Sequence, residues 1–201
     1  MKTLIIVDVQ IDFMPGGALE VIGGDRIIPV INKILPQFDL VVATQDWHPG
    51  NHKSFAVNHS GKKEFEIIEL NGLEQKLWPP HCVQETKGAD FHPDLKTGRI
   101  EAIFRKGMDP EIDSYSGFYD NGHKKSTGLS GYLREKGATE LYFCGLAADI
   151  CVYFSLLDAL KEGFSATLIE DAAVPLIPEE FGRIKDDIQQ KGGKIIFSEE
   201  L

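Results

Sequence analysis

Cys151 stands in the stretch FCGLAADICVYFSLLDAL, residues 143–160, two residues after Asp149 and six after Gly145, where an apolar strand gives way to a helical pattern. A thiol in the first turn of a helix feels the positive end of the helix dipole and nearby backbone N–H groups, which favour thiolate over thiol. A thiolate can attack a carbonyl carbon once a base has taken its proton. Asp8 supplies a candidate base, ending a strand after Leu4, Ile5, Ile6 and Val7. A carboxylate there is costly to bury unless paired, so it is either a hydrogen-bonded structural group or an acid/base at a sheet edge. Lys106 ends EAIFRK in the same way. Taken singly, Cys151 reads as a packed apolar residue and Lys106 as a solvated strand end. With all three at the same edge of one sheet they form a set of base, cation and nucleophile. The GLAAD turn before Cys151 would offer the Ala147 and Cys151 N–H groups to a developing oxyanion. Cys144, inside the strand, keeps the reading of a packed side chain.

A second constellation lies in QDWHPGNHKSF and WPPHC. Asp46 and His48 are alternate residues just past a strand, and His81 returns from a long loop. One carboxylate and two imidazoles, with positions left for water or substrate, suit Zn(II), Mn(II) or Fe(II) and would staple the loop. His52, Ser54 and Glu64 are candidates for extra ligands or for partners of the ligands. His59, His92 and His123 lack carboxylate spacing and read as solvated loop histidines. Phe13, Phe55, Trp78 and Tyr115 accompany these groups in sequence. As core filling they would mean little; converging on one pocket they would favour a flat ring as substrate.

The elements that must position these residues form an alternating series. Apolar, β-branched runs at 3–9, 39–46, 101–106, 141–145, 166–171 and 194–198 read as strands covered on both faces. Helical patterns lie between them: Asp25 is placed to cap RIIPVINKIL, Thr127 precedes GLSGYLREKG, Asp149 precedes ICVYFSLLDALKEG and Pro178 begins the last, with Gly137, Gly163 and Gly192 at their ends. This rhythm predicts one doubly wound α/β domain over residues 1–201, with sites at the carboxyl ends of strands. Residues 47–99 break it, with only EFEIIEL resembling a strand, and a loop that long needs something to hold it.

Composition narrows the function classes. A net charge of -10 argues against a nucleic-acid partner. Three cysteines, and an opening segment without a signal-peptide pattern, imply a reducing, cytoplasmic setting. No apolar run approaches the roughly 18 to 20 residues that cross a bilayer, so no membrane role is expected.

Five ordered segments carry a family resemblance: LIIVDVQIDFMPGGAL, TQDWHPGNHKSFA, WPPHCVQETKGADFHPDL, FRKGMDPEIDSYSGF and FCGLAADICVYFSLLDA. Over essentially its full length the chain resembles the nicotinamidases, the metal-dependent branch of the isochorismatase-like cysteine hydrolases. The resemblance implies a three-layer α/β/α fold around a six-stranded, mostly parallel sheet and a triad of Asp8, Lys106 and Cys151. It implies a metal ion, zinc before manganese or iron, held by Asp46, His48 and His81, and a non-proline cis peptide between Leu146 and Ala147. It further implies hydrolysis of nicotinamide to nicotinate and ammonia in NAD salvage, with pyrazinamide also accepted, by a monomer or a homo-oligomer. Ala148 departs from the hydroxyl residue that relatives commonly carry there, without touching a catalytic group.

Overall fold

The apolar residues of β1 pack alternately on two faces, and that alternation builds the layers. The structure, a computed structural model, describes residues 1–201. Strand β1 (Lys2–Val7) sends Leu4 and Ile6 toward a core with Ile27, Ile28, Ile31 and Ile34 of helix α1 (Ile27–Ile34). Its other face sends Ile5 and Val7 into a second core. Successive strand side chains point to opposite faces, so a strand covered on both sides must be apolar throughout. The second core is closed by α2 (Leu129–Glu135), α3 (Cys151–Lys161) and α4 (Phe181–Gln190), through residues such as Leu129, Val152 and Ile188.

The remaining sheet strands are β2 (Leu40–Asp46), β5 (Ala102–Lys106), β6 (Glu140–Leu146), β7 (Ser165–Val174) and β8 (Lys194–Ile196). They assemble in the order β5-β2-β1-β6-β7-β8 with every pairing parallel. The six strands anticipated from sequence are all present, flanked by helices. The chain winds outward in one direction from β1 through β2 to β5 and in the other from β6 through β7 to β8. The switch point therefore lies between β1 and β6, where open α/β sheets place their sites. Gly145 makes that junction close: a Cβ there would lie 2.0 Å from the Val7 carbonyl oxygen.

Two helix starts differ from expectation. Asp25 does not cap α1; it sits in a tight turn, Gly24–Arg26, which already runs helically into the helix, so no side-chain acceptor is used. Asp149 does not cap α3; its carboxylate instead accepts the backbone N–H groups of Leu176 and Ile177, both at 2.8 Å. Thr127 does serve the start of α2, its Oγ1 accepting the Leu129 N–H at 3.2 Å. Pro178 opens a short 3-10 turn, Pro178–Glu180, that leads into α4.

Residues 47–99 are more ordered than their composition suggests. The weak strand signal becomes a hairpin of β3 (Ile67–Leu70) and β4 (Leu73–Lys76). Backbone bonds tie the segment to the body: Trp47 N–H to the Lys106 carbonyl, His92 N–H to the Val9 carbonyl and Ile11 N–H to the Asp90 carbonyl, each at 3.0 Å. These backbone links staple the excursion in addition to any ion held by Asp46, His48 and His81.

Candidate active site

Four neighbouring strands deliver four charged or nucleophilic residues to one edge. Asp46 and Lys106 are the last residues of β2 and β5 and face each other in register. Asp8 follows β1 directly, and Cys151 opens α3 five residues after β6. Asp8 adopts a φ of 48°, a left-handed conformation that aspartate tolerates better than most residues.

Lys106 is the hub. Its ammonium lies 2.9 Å from Asp8 Oδ2 and 3.0 Å from Asp46 Oδ1, donates to the Ser114 carbonyl at 3.1 Å, and reaches Cys151 Sγ at 3.6 Å. Its side chain is fully buried, as is that of Asp8. Burial disfavours the ammonium, but Asp46, Asp8 and Cys151 outweigh that and hold the Lys106 pKa well above its ordinary value. Asp8 accepts the Thr44 hydroxyl at 2.6 Å. Burial raises the Asp8 pKa, while Lys106 pulls it down less strongly. A raised carboxyl pKa makes Asp8 a better proton acceptor than an ordinary aspartate.

Cys151 differs from the expectation drawn from its helix start. Burial pushes its thiol pKa well up, and the opposing pull of Lys106 does not reverse this. Burial thus favours the thiol over the thiolate at rest. The helix dipole is a partial charge, whereas complete burial removes the solvation of a full one. Beside the thiol, the N–H groups of Ala147 and Cys151 donate to no protein acceptor. The Leu146–Ala147 peptide is cis. Cys144 and Cys82 are both fully buried, and neither lines the cavity beside Cys151.

The residues proposed for a metal converge on one carboxylate oxygen. His48 Nε2 lies 2.9 Å and His81 Nε2 3.4 Å from Asp46 Oδ2. His48 Nδ1 donates to the Gly107 carbonyl at 2.9 Å and His81 Nδ1 to the Pro79 carbonyl at 2.8 Å. With Nδ1 protonated on both rings, their Nε2 lone pairs face a carboxylate. Acceptors that face one another need a shared proton or a cation between them, and these donor types suit a divalent ion. Gly107 is required for this fit, since a Cβ there would lie 2.3 Å from the His48 ring. Burial opposes ionisation of Asp46, but His48 and Lys106 hold its pKa well below the usual carboxylate range.

His52, Ser54 and Glu64 separate. Glu64 is exposed on the hairpin approach and joins nothing at the site. His52 Nδ1 accepts the Ser54 N–H at 3.1 Å and faces the Ser54 hydroxyl at 2.7 Å. Its Nε2 is buried without a partner, close to His48 and Asp113. Burial and the nearby His48 lower its pKa to about 4, so the ring is neutral.

A cavity opens between these groups. Phe13, Trp78 and Tyr115 line it together with Asp46, His81, Lys106 and Cys151. Phe55 does not. It is fully buried beneath the histidines, with ring centroids 5.3 Å from His48, 5.7 Å from His52 and 5.5 Å from His81. Its sequence position after the ligand pair places it under the rings, where it packs them instead of touching the cavity. The remaining walls, Leu19, Val21, Asp113, Ser114, Ile150 and Leu176, were not singled out in the sequence, and neither was Thr44. Gln10 was also missed: its side chain accepts the Asp46 N–H and donates to the Asp46 carbonyl, both at 2.8 Å, fixing the end of β2. A polar residue two positions after Asp8 was the only sequence signal for it. His59, His92 and His123 lie away from the cavity.

Comparison with known proteins gives the site a context. The family model described as Isochorismatase domain matches residues 2–200. A nicotinamidase of Acinetobacter baylyi is 50% identical over 169 residues, covering 84% of this chain and 79% of that protein. The structure of a nicotinamidase/pyrazinamidase from Acinetobacter baumanii superposes with a TM-score of 0.95 at 47% identity, over 98% of this chain and 96% of that one. A pyrazinamidase of Pyrococcus horikoshii in complex with zinc superposes with a TM-score of 0.80 at 40% identity, over 97% and 98% of the two chains.

Proposed function

The chain belongs to the isochorismatase family, and from that premise we infer that it is an amidohydrolase converting nicotinamide to nicotinate and ammonia, a step of NAD salvage, with Cys151 as nucleophile. The observation that carries the reading is the Lys106 hub, whose ammonium touches Asp8, Asp46 and Cys151 within 3.6 Å.

In the proposed reaction Asp8 takes the Cys151 proton as the thiolate forms a bond to the carboxamide carbon. Lys106 offsets the negative charge held between Asp8 and the sulfur. The oxyanion of the tetrahedral intermediate accepts the Ala147 and Cys151 N–H groups, where losing one such donor typically costs about 3 to 4 kcal/mol. Asp8 returns its proton to the amide nitrogen, the C–N bond breaks and ammonia leaves, giving a thioester. A water molecule deprotonated by Asp8 then adds to the thioester carbon, the C–S bond breaks and nicotinate departs as the thiol regains its proton.

Asp46, His48 and His81 would hold a divalent ion, and zinc in the Pyrococcus horikoshii relative supports that choice. Bound there, such an ion supplies a Lewis acid for the lone pair of a ring nitrogen. Phe13, Trp78 and Tyr115 orient the ring and exclude water around it. Pyrazinamide, which keeps a ring nitrogen and the carboxamide, is expected to be a second substrate. No helix is long and apolar enough to cross a membrane. The test is to supply nicotinamide to the purified protein and measure ammonia together with nicotinate. Equal amounts of the two support the reading, and the absence of both removes it.

A further inference from the structure

The Asp149 carboxylate does something other than cap its helix. It is 8% exposed, and its two oxygens take separate N–H groups, Oδ1 that of Leu176 and Oδ2 that of Ile177, each at 2.8 Å. Those donors lie past the end of β7 at Val174, where strand pairing with β6 has stopped. The last backbone link between the two segments is Ala148 N–H to the Val174 carbonyl, at 2.8 Å. Beyond it, no other hydrogen bond connects residues 175–177 to the turn that carries the nucleophile. Pro175 has no N–H to contribute, and the following residues, Pro178–Glu180, are exposed. Leu176 nevertheless forms a wall of the cavity beside Ala147, Ile150 and Cys151.

We propose that Asp149 is a positioning residue that sets the size limit of the substrate cavity by clamping the Leu176 wall onto the nucleophile turn. The proposal rests on the amidase reading given above and adds to it a determinant of which ring amides fit. The turn itself has independent support, since the Ile150 and Val152 N–H groups both reach the Ala147 carbonyl at 3.1 Å. Releasing the clamp should therefore loosen the wall while leaving the nucleophile and its oxyanion donors in place. Asparagine at 149 can accept one N–H but would turn its own NH₂ toward the other, so it loses half of the clamp.

The test compares D149A, D149N, L176A and the D149A/L176A double variant of the metal-loaded enzyme. Each is assayed with nicotinamide and with a nicotinamide carrying an added alkyl group on the ring. D149A is expected to raise KM for nicotinamide about 10-fold with kcat within about threefold, since the wall contact that is lost is the same in the ground and transition states. Its preference for nicotinamide over the alkylated amide should fall about 10-fold. D149N should lie between it and the parent, and it decides the matter on the same readouts if D149A does not fold. L176A should show the same loss of preference, and the double variant no further loss, because residues acting through one contact are not additive. A fall in kcat at unchanged KM and preference, or effects that multiply in the double variant, would overturn the proposal. A second readout needs no turnover: labelling of Cys151 by a bulky maleimide relative to iodoacetamide, located by mass spectrometry. Faster maleimide labelling in the Asp149 variants supports the clamp, and an unchanged ratio overturns it. A parent protein that does not hydrolyse nicotinamide would defeat the amidase reading alone, because the labelling ratio still tests the wall.

Discussion

The carboxyl edge of the sheet and the 47–99 excursion form two sides of one cavity by different means. On the sheet side, register fixes the geometry: Asp46 and Lys106 are paired residues of adjacent strands, and Asp8 and Cys151 flank the switch point. A one-residue slip of β2 or β5 would turn Asp46 or Lys106 to the other face. On the excursion side, position comes from single backbone bonds, such as His48 N–H to the Cys82 carbonyl, and from rings packed around Phe55. The sheet side carries the proposed bond-making groups and the Asp46 carboxylate, and the excursion carries His48, His81 and Trp78, the proposed ligand rings and one part of the aromatic wall. Loops on a fixed scaffold tolerate change, so selectivity can vary there without disturbing the chemistry.

The largest expected effect lies on the sheet side. Cys151→Ala should reduce turnover at least about 10⁴-fold, more than 5 kcal/mol of transition-state stabilisation. Its melting temperature should move only slightly, because one sulfur atom is removed from a well-packed helix start. Activity near the parent level would show that the sheet edge does not carry the chemistry.

Removing the metal probes the other side. A site saturated at 100 times its dissociation constant contributes about 2.7 kcal/mol to stability, so chelation should lower the melting temperature measurably. The backbone links of residues 47–99 persist without the ion, so the chelated protein should remain folded at ordinary temperature while turnover falls by a far larger factor. Activity and stability lost in proportion would instead make the ion a structural staple.

A smaller effect lies within the sheet side, at a residue the sequence did not single out. Thr44 donates to Asp8 Oδ1, which favours the charged carboxylate. Thr44→Val should therefore raise the already elevated Asp8 pKa, and the base would be protonated at higher pH. The acidic limb of kcat/KM should move to higher pH, with a loss of about 10-fold, or 1.4 kcal/mol, at neutral pH. An unmoved limb would take Asp8 out of the role of base.

The smallest effect serves as a control remote from both sides. Glu162 accepts Tyr119, Ser130 and Arg134 on the helical layer. Bonds from Tyr119, Arg134 and Ser130 hold its carboxyl pKa down at about 2. A depressed carboxyl pKa stabilises the fold fully above the unfolded value of about 4.3, and that stabilisation disappears as pH falls through the folded value. Glu162→Gln should thus cost about 1 kcal/mol or less at pH 7, given partial exposure, and nothing once pH is below 2. Turnover should be unaffected, which calorimetry and a rate assay together would check.

The same contrast explains what could be read from the sequence. Apolar runs before Asp8 and Asp46 mark buried parallel strands and AIF before Lys106 a partly exposed edge strand, and a parallel sheet brings strand ends to one edge, so these residues were legible together. The Cys151 turn was legible as a position but its pKa direction was not, because burial depends on the packing of the whole layer and outweighs the local helix dipole. Phe55 looked like a cavity residue from its spacing, yet its direction is set by three histidine rings that meet only after residues 48 to 81 fold back. Asp149 resembled a helix cap because a cap and a clamp need the same carboxylate, and only the path of residues 175–177 distinguishes them. Thr44 and Gln10 act through hydrogen bonds to residues of neighbouring elements, for which no sequence spacing exists.

The central claim, that Cys151 is acylated during nicotinamide hydrolysis, is tested most directly by acid-quenching the enzyme during its first turnover and mapping adducts by mass spectrometry. The account predicts a nicotinoyl group on Cys151, appearing with ammonia and decaying as nicotinate forms. An adduct on Cys82 or Cys144, or nicotinate produced with no acylated cysteine at any quench time, would contradict it.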